Sequence, residues 1–294
     1  MPLLFALLLL PSLSGAQAIT DAVAKARALQ QSPEAKPPAF PCVSDAGGGM
    51  KCSGQLPGNA YPNKVTFFTT TSQPPKDAEI ILYLLGQGSC EKWLTNSPFG
   101  ELLRKSGRTD AILVIPCGQD PWTRSDSSGF ARFWAGVVAQ AGLLSGQDAP
   151  SAPRALVLSG HSHGGYGLAR VLNFAKAGGF PPIREVYLFD CSYSDDAEDR
   201  SYDTFAEFGA GSGHRMLSII RVAPDNKKIM DRMDARRAPN APPPYALLDA
   251  DAVLAGRVKL PASGTAFMTS TDAKVTHENV MNLAFPLLLA RPGS

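Results

Sequence analysis

Ser162 stands in Gly160-His161-Ser162-His163-Gly164, a G-x-S-x-G pattern. The apolar run Ala155 to Leu158 precedes it, and a helix-like segment, Tyr166 to Lys176, follows. Strand, sharp turn and helix are the setting in which this pattern acts as a nucleophile elbow. The glycines belong to the chemistry. They let the chain turn so tightly that the serine hydroxyl stands free, and side chains in their place would collide with the neighbouring strand and helix. The helix after the turn aims free N–H groups and its positive dipole end at the reacting centre. In a chain with 27 glycines among 294 residues the bare pattern also arises by chance, so the flanking strand and helix carry the reading.

A serine hydroxyl is a poor nucleophile until a base within hydrogen-bond reach takes its proton. The chain has four histidines: His161, His163, His214 and His277. The turn points the side chains of His161 and His163 away from the Ser162 hydroxyl. His214 precedes a strand, at the opposite end of the sheet. His277, in Thr276-His277-Glu278-Asn279, follows the final strand and is the expected base. Two aspartates compete as the acid that orients it. Asp190 directly ends the apolar run Leu188-Phe189, where a carboxylate needs a partner to offset its desolvation. Asp225 lies in a Pro-Asp-Asn stretch that equally makes a turn or a helix cap. Asp190 is favoured and Asp225 is the alternative. The spacing His161-x-His163 is one that zinc enzymes use, but its usual companion residues are absent, and neither a metal nor another cofactor is expected.

The elements that must hold these residues alternate along the chain. Val65–Thr71, Glu79–Leu85, Ala111–Ile115, Ala155–Leu158, Val186–Phe189, Met216–Val222 and Thr265–Thr269 read as strands. Pro98–Lys105, Phe130–Leu144, Tyr166–Lys176, Asn226–Arg236 and His277–Leu289 read as helices between and after them. Short, nearly continuous apolar strands separated by helices argue an α/β fold with a mostly parallel central sheet and helices on both faces. Ligands bind at the carboxyl ends of such strands. Gly86–Ser89, Ser162, Asp190, Asp225 and His277 all fall there. Trp93, Trp122, Phe130, Trp134 and Tyr166 follow strand ends or lie in the next helix, and are either core or pocket lining. Residues 191–214, with Asp195, Asp196, Glu198 and Asp199, read as a solvated face, with a cap over the site as the alternative.

Hydrophobic residues make up 44% of the chain, enough for a sizeable core, and the net charge of +2 gives no field for nucleic acid or an anionic membrane. Residues 1–18 combine an apolar run with Ala16-Gln17-Ala18 and read as a signal peptide cleaved after Ala18, which implies a secreted or periplasmic protein. The run is shorter than the roughly 20 residues that span a bilayer, and no other segment qualifies, so no stable membrane anchor is expected. Residues 19–62 form an N-terminal extension: Ile19–Gln30 is helical in character and Gln31–Pro62, rich in Pro and Gly, is irregular. Residues 63–294 form the main domain. Cys42 and Cys52 enclose a Gly-rich loop, an arrangement that predicts a disulfide in an oxidising compartment.

From about residue 64 to about residue 290 the chain resembles the α/β-hydrolase superfamily. The elbow at Ser162, the order nucleophile, acid, His277, and the Gly86-Gln87-Gly88 loop after an early strand carry the resemblance. It implies a three-layer fold and an esterase-like serine hydrolase that cleaves an ester, or else an amide, of a small ester or acyl substrate through an acyl-enzyme, without a cofactor. It implies one oxyanion N–H from the loop Gly86, Gln87, Gly88 and the other from His163. Leu85-Gly86 stands here where the superfamily more often has His-Gly. Most members carry the acid after the later of the two candidate strands and some after the earlier, so Asp190 and Asp225 both stay open. The resemblance also sets the strands ending at Gly86 and Cys117 side by side, which permits a Cys90–Cys117 bridge and leaves Cys191 as a buried thiol. A non-catalytic binding protein that keeps the elbow as a turn is the rival from another class. A peptidase or cell-wall deacylase is the rival among enzymes, since fold does not fix substrate.

Overall fold

A computed structural model describes residues 39–45, 48–56, 63–86, 90–96, 98–117, 127–176, 181–193, 200–221 and 224–291. The signal segment, the helical stretch Ile19–Gln30, Gln87 and Gly88 of the expected oxyanion loop, Trp122, and Asp195, Asp196, Glu198 and Asp199 lie outside these residues.

Ten strands form one sheet: β1 (Cys42–Ser44), β2 (Met50–Gln55), β3 (Lys64–Phe68), β4 (Glu79–Leu84), β5 (Ala111–Cys117), β6 (Leu156–His161), β7 (Ile183–Phe189), β8 (Arg215–Ile220), β9 (Tyr245–Asp249) and β10 (Gly264–Thr269). Their spatial order is β1-β2-β3-β5-β4-β6-β7-β8-β10-β9. From β5 to β9 every neighbouring pair is parallel, while β1, β2 and β3 add an antiparallel edge. Eight described helices complete the chain: α1 (Cys90–Asn96), α2 (Phe99–Lys105), α3 (Ser127–Leu144), α4 (Gly164–Lys176), α5 (Ser201–Ala210), α6 (Pro224–Ala235), α7 (Ala250–Leu254) and α8 (Val280–Leu288).

The central strands are apolar on both sides because both sides are covered. Ile80, Leu82 and Leu84 of β4 join a core with residues of α3, α4, α5 and α6, while Ile81 and Tyr83 face a second core with residues of α2, α7 and α8. β5 divides the same way, Ile112 and Val114 against Leu113 and Ile115. This period-two split is the three-layer arrangement expected of a buried parallel sheet.

Three stretches of the chain differ from the sequence reading or add to it. Part of the stretch read as irregular forms β1 and β2, with Cys42 opposite Cys52 and Cys52 opposite Phe67. These short strands, exposed in β1 and mostly half-buried in β2, owe their form to pairing, β1 with β2 and β2 with β3, and not to local propensity. β9 has no counterpart in the sequence reading: its apolar run, Tyr245 to Leu248, is only four residues long, and at the sheet edge its side chains are half-buried or exposed. Within the segment 191–214, residues 201–210 form helix α5, which buries Tyr202, Phe205 and Phe208 in the layer it shares with α4 and α6. Helix α5 itself is therefore part of the core layer, while the four acidic residues lie outside the described residues.

Cys42 and Cys52 are bridged, with Cα atoms 4.1 Å apart, and Cys90, the first residue of α1, is bridged to Cys117, the last of β5, at 5.3 Å. Cys191 is a free, buried thiol. At the amino-terminal edge of the sheet the fully buried Arg108 bonds Glu79 at 2.8 Å, Glu185, and the Leu289 carbonyl at 2.5 Å. Among the described residues no helix is long and apolar enough to cross a membrane.

Candidate active site

β6 ends at His161 and α4 begins at Gly164, so Ser162 occupies the turn between strand and helix. Its φ is 54°, a left-handed conformation uncommon for a residue with a side chain. Three main-chain hydrogen bonds hold it there. Ser162 N–H donates to the Phe189 carbonyl at 3.3 Å, and its carbonyl accepts from Gly165 at 3.1 Å and Ser192 at 3.0 Å. Surroundings that over-determine a strained residue in this way are what allow it to persist. The flanking glycine has a steric cause: a β-carbon on Gly164 would lie 2.3 Å from the Leu84 carbonyl oxygen. Leu84 ends β4, and the next glycine along, Gly86, lies against the serine side chain itself.

Asp190 follows β7, the strand beside β6. It too has a positive φ, 45°, and its N–H donates to the Ile219 carbonyl of β8 at 2.7 Å. Its carboxylate accepts from the Arg221 N–H at 3.0 Å and from His277 Nδ1 at 2.7 Å. Burial alone would raise the Asp190 pKa, but the bonds from His277 and Arg221 outweigh it and hold the group below the usual carboxylate value. The same bond raises the His277 pKa, against partial burial that would lower it. His277 lies in the turn between β10 and α8, three residues ahead of the helix that was expected to begin with it, and its side chain is 40% exposed. With Nδ1–H committed to Asp190, the neutral ring carries its lone pair on Nε2.

The other candidates fall elsewhere. Asp225, in the first turn of α6, accepts from the Tyr202 hydroxyl at 2.7 Å. His214 precedes β8 at the far edge of the sheet, stacked 4.3 Å from Phe208 and bonded through Nδ1 to the Phe208 carbonyl. His163 sits in the Ser162 turn with its ring 5.5 Å from Tyr166. Of the aromatics, Phe130 and Trp134 are buried core, whereas Trp93 of α1 stands edge-on to His161 with centroids 5.2 Å apart. Among the described residues no group of three His, Cys, Asp or Glu side chains comes together to hold a metal ion.

His161 is the residue that sequence reasoning passed over. Its ring lies against His277. The ring centroids are 4.5 Å apart, and His161 Nε2 lies 2.7 Å from the His277 main-chain carbonyl. Burial, reinforced by the nearby His277, lowers its pKa to about 4. No local signal announces this, because its partner is 116 positions away.

No protein-family model and no curated protein matches the chain. Solved structures do. The carboxylesterase EstE1, cloned from a metagenomic library, is 12% identical, with 93% of this chain and 95% of that one covered and a TM-score of 0.51. The esterase LipW from Mycobacterium marinum is 15% identical over 95% of this chain and 88% of its own, at a TM-score of 0.46. An S-formylglutathione hydrolase from Agrobacterium tumefaciens is 13% identical over 83% and 95%, at 0.47. At such identities the likeness is one of fold. Strand order, the strained turn at Ser162 and the near end-to-end likeness to EstE1 agree that this chain has the α/β-hydrolase fold.

Proposed function

We propose that the protein is an exported serine hydrolase that cleaves a small carboxylic ester through an acyl-enzyme. The observation that carries this reading is the bonded pair His277–Asp190, with Asp190 following the strand next to the one that ends at a serine held at positive φ between β6 and α4. Ser162 Oγ attacks the ester carbonyl carbon while His277 Nε2 takes its proton. Asp190 holds the ring in the Nδ1–H tautomer and stabilises the imidazolium that forms. The His163 N–H and the loop that begins at Gly86 stabilise the oxyanion. The tetrahedral intermediate collapses, the alcohol leaves with the proton from His277, and water repeats the sequence to release the acid. The carboxylesterase EstE1 supports the substrate class by fold, and the two disulfides with the signal-like residues 1–18 support export.

A fluorophosphonate probe and a panel of short and long p-nitrophenyl esters test the reading. The expected result is labelling at Ser162 and ester turnover, both lost in Ser162→Ala, with turnover falling on the order of 10⁴-fold or more. Unchanged turnover in a folded Ser162→Ala variant would overturn it.

A further inference from the structure

We propose that His161 is a positioning residue, whose Nε2–H anchors the main-chain carbonyl of His277 and so fixes the imidazole that serves Ser162. The inference rests on the serine-hydrolase reading above and assigns a task to a residue outside the triad.

His277 is carried by the 270–279 connection and not by a strand or helix. Asn279 ties this turn to itself, its carboxamide accepting from Thr276 N–H at 2.8 Å and donating to the Lys274 carbonyl at 2.8 Å. Among the described residues, His277 itself has two bonds to the body of the sheet. Its ring donates to Asp190, which follows β7, and its carbonyl accepts from His161, the last residue of β6. One anchor on the ring leaves the main chain free to pivot about it. The second anchor removes that freedom, and it comes from the residue covalently joined to Ser162. Nucleophile and base are thereby referred to one rigid strand end, the arrangement that precise catalytic geometry requires.

The chemistry of His161 suits this task. A carbonyl only accepts, so Nε2 must carry the hydrogen. Nδ1 is buried with no partner among the described residues, which leaves the Nε2–H tautomer of a neutral ring. His161 is fully buried, with Trp93 edge-on to it, and burial keeps it neutral across the working range of a serine hydrolase. A charged His161 would place a cation 4.5 Å from His277 and oppose the imidazolium formed in each step. Asp190 and Glu278 are the acidic groups acting on the ring, and His277 is the basic one.

The amide nitrogen of glutamine reaches about as far as Nε2, whereas that of asparagine stops near Nδ1. His161→Gln and His161→Asn are both polar and test reach directly. His161→Asn should lose about 10²-fold in kcat, the scale of a small misplacement of a catalytic group, with KM nearly unchanged. His161→Gln should recover to within about tenfold of the parent. The far-downfield proton resonance of the His277–Asp190 bond should persist in the Gln variant and be broadened or lost in Asn. Equal losses in both variants, or a wild-type kcat in Asn, would overturn the proposal. If His161→Asn does not fold, the Gln variant decides alone: a loss as large as 10²-fold with the downfield resonance gone counts against it. Ser162→Ala in parallel separates the two readings, since its retained turnover would sink the triad itself, whereas an inactive Ser162→Ala beside a fully active His161→Asn sinks only this one.

Discussion

A β-carbon on Gly86 would stand 2.6 Å from the β-carbon of Ser162 and 3.1 Å from its hydroxyl oxygen, so the main chain of Gly86 is a wall of the space in which the hydroxyl sits. Gly86→Ala should therefore act on chemistry first. The new methyl must displace either the loop or the serine, and ester turnover should fall by about 10²-fold. Overpacking should cost a further 1–3 kcal/mol or so of stability. Steady-state kinetics with urea unfolding checks both, and an alanine variant with parental kcat would show that the loop yields without consequence.

The two aspartates should separate cleanly. Asp190→Asn places an amide against His277 Nδ1, favours the wrong tautomer and should lower turnover by roughly 10⁴-fold. Asp225→Asn should change kcat little, because Asp225 bonds Tyr202. The reverse pattern in the two kcat values would move the acid to the later strand.

The pH profile follows from the raised His277 pKa. Catalysis needs the neutral ring, and the neutral form disappears as pH falls through that pKa. The acid limb of kcat/KM should therefore have its midpoint above the ordinary histidine value of 6.5. In Asp190→Asn the residual activity should show that limb at lower pH. The linked stability has the opposite sense: the ion pair contributes fully below about pH 6.5 and is lost as pH rises through the folded-state value. Rates measured from pH 5 to 9 decide the matter, and a midpoint at or below 6.5 contradicts it.

Arg108 is a test of the scaffold apart from the site. It is fully buried and binds Glu79, Glu185 and the Leu289 carbonyl at the end of the sheet away from Ser162. Arg108→Leu should destabilise the fold by about 3–5 kcal/mol, because it strands partly buried carboxylates. The molecules that remain folded should keep their kcat. An unchanged urea midpoint would mean that Arg154 and Arg291, which also reach Glu79, suffice.

What could be read in the sequence was whatever has a local cause. Ile80–Leu84 and Ile112–Ile115 are apolar without interruption because both faces are buried, and they read as strands at once. Ser162 was visible because its turn needs glycines at fixed offsets, and Asp190 because a carboxylate straight after Leu188-Phe189 demands a partner. β9 was hidden because four apolar residues, Tyr245 to Leu248, are too short a run to mark a strand on their own, and β1 and β2 because their form depends on pairing, β1 with β2 and β2 with β3. His161 was hidden for a different reason: a buried histidine looks like any other until the turn that carries its partner folds back over it.

The unpaired Cys191 bears on how the chain reaches its folded state. In the finished structure its thiol points at the Gly160 carbonyl, 3.2 Å away, and burial raises its pKa, so it stays protonated and inert. During folding it is as reactive as the other four. Five cysteines can form two bridges in roughly fifteen ways, and only one of them spares Cys191 and matches both native pairs. The order of events then matters: the apolar packing around β6 and β7 must bury Cys191 before oxidation competes for it. Refolding yield from the reduced chain should accordingly depend on oxidant and isomerase, and Cys191→Ala should relieve that dependence.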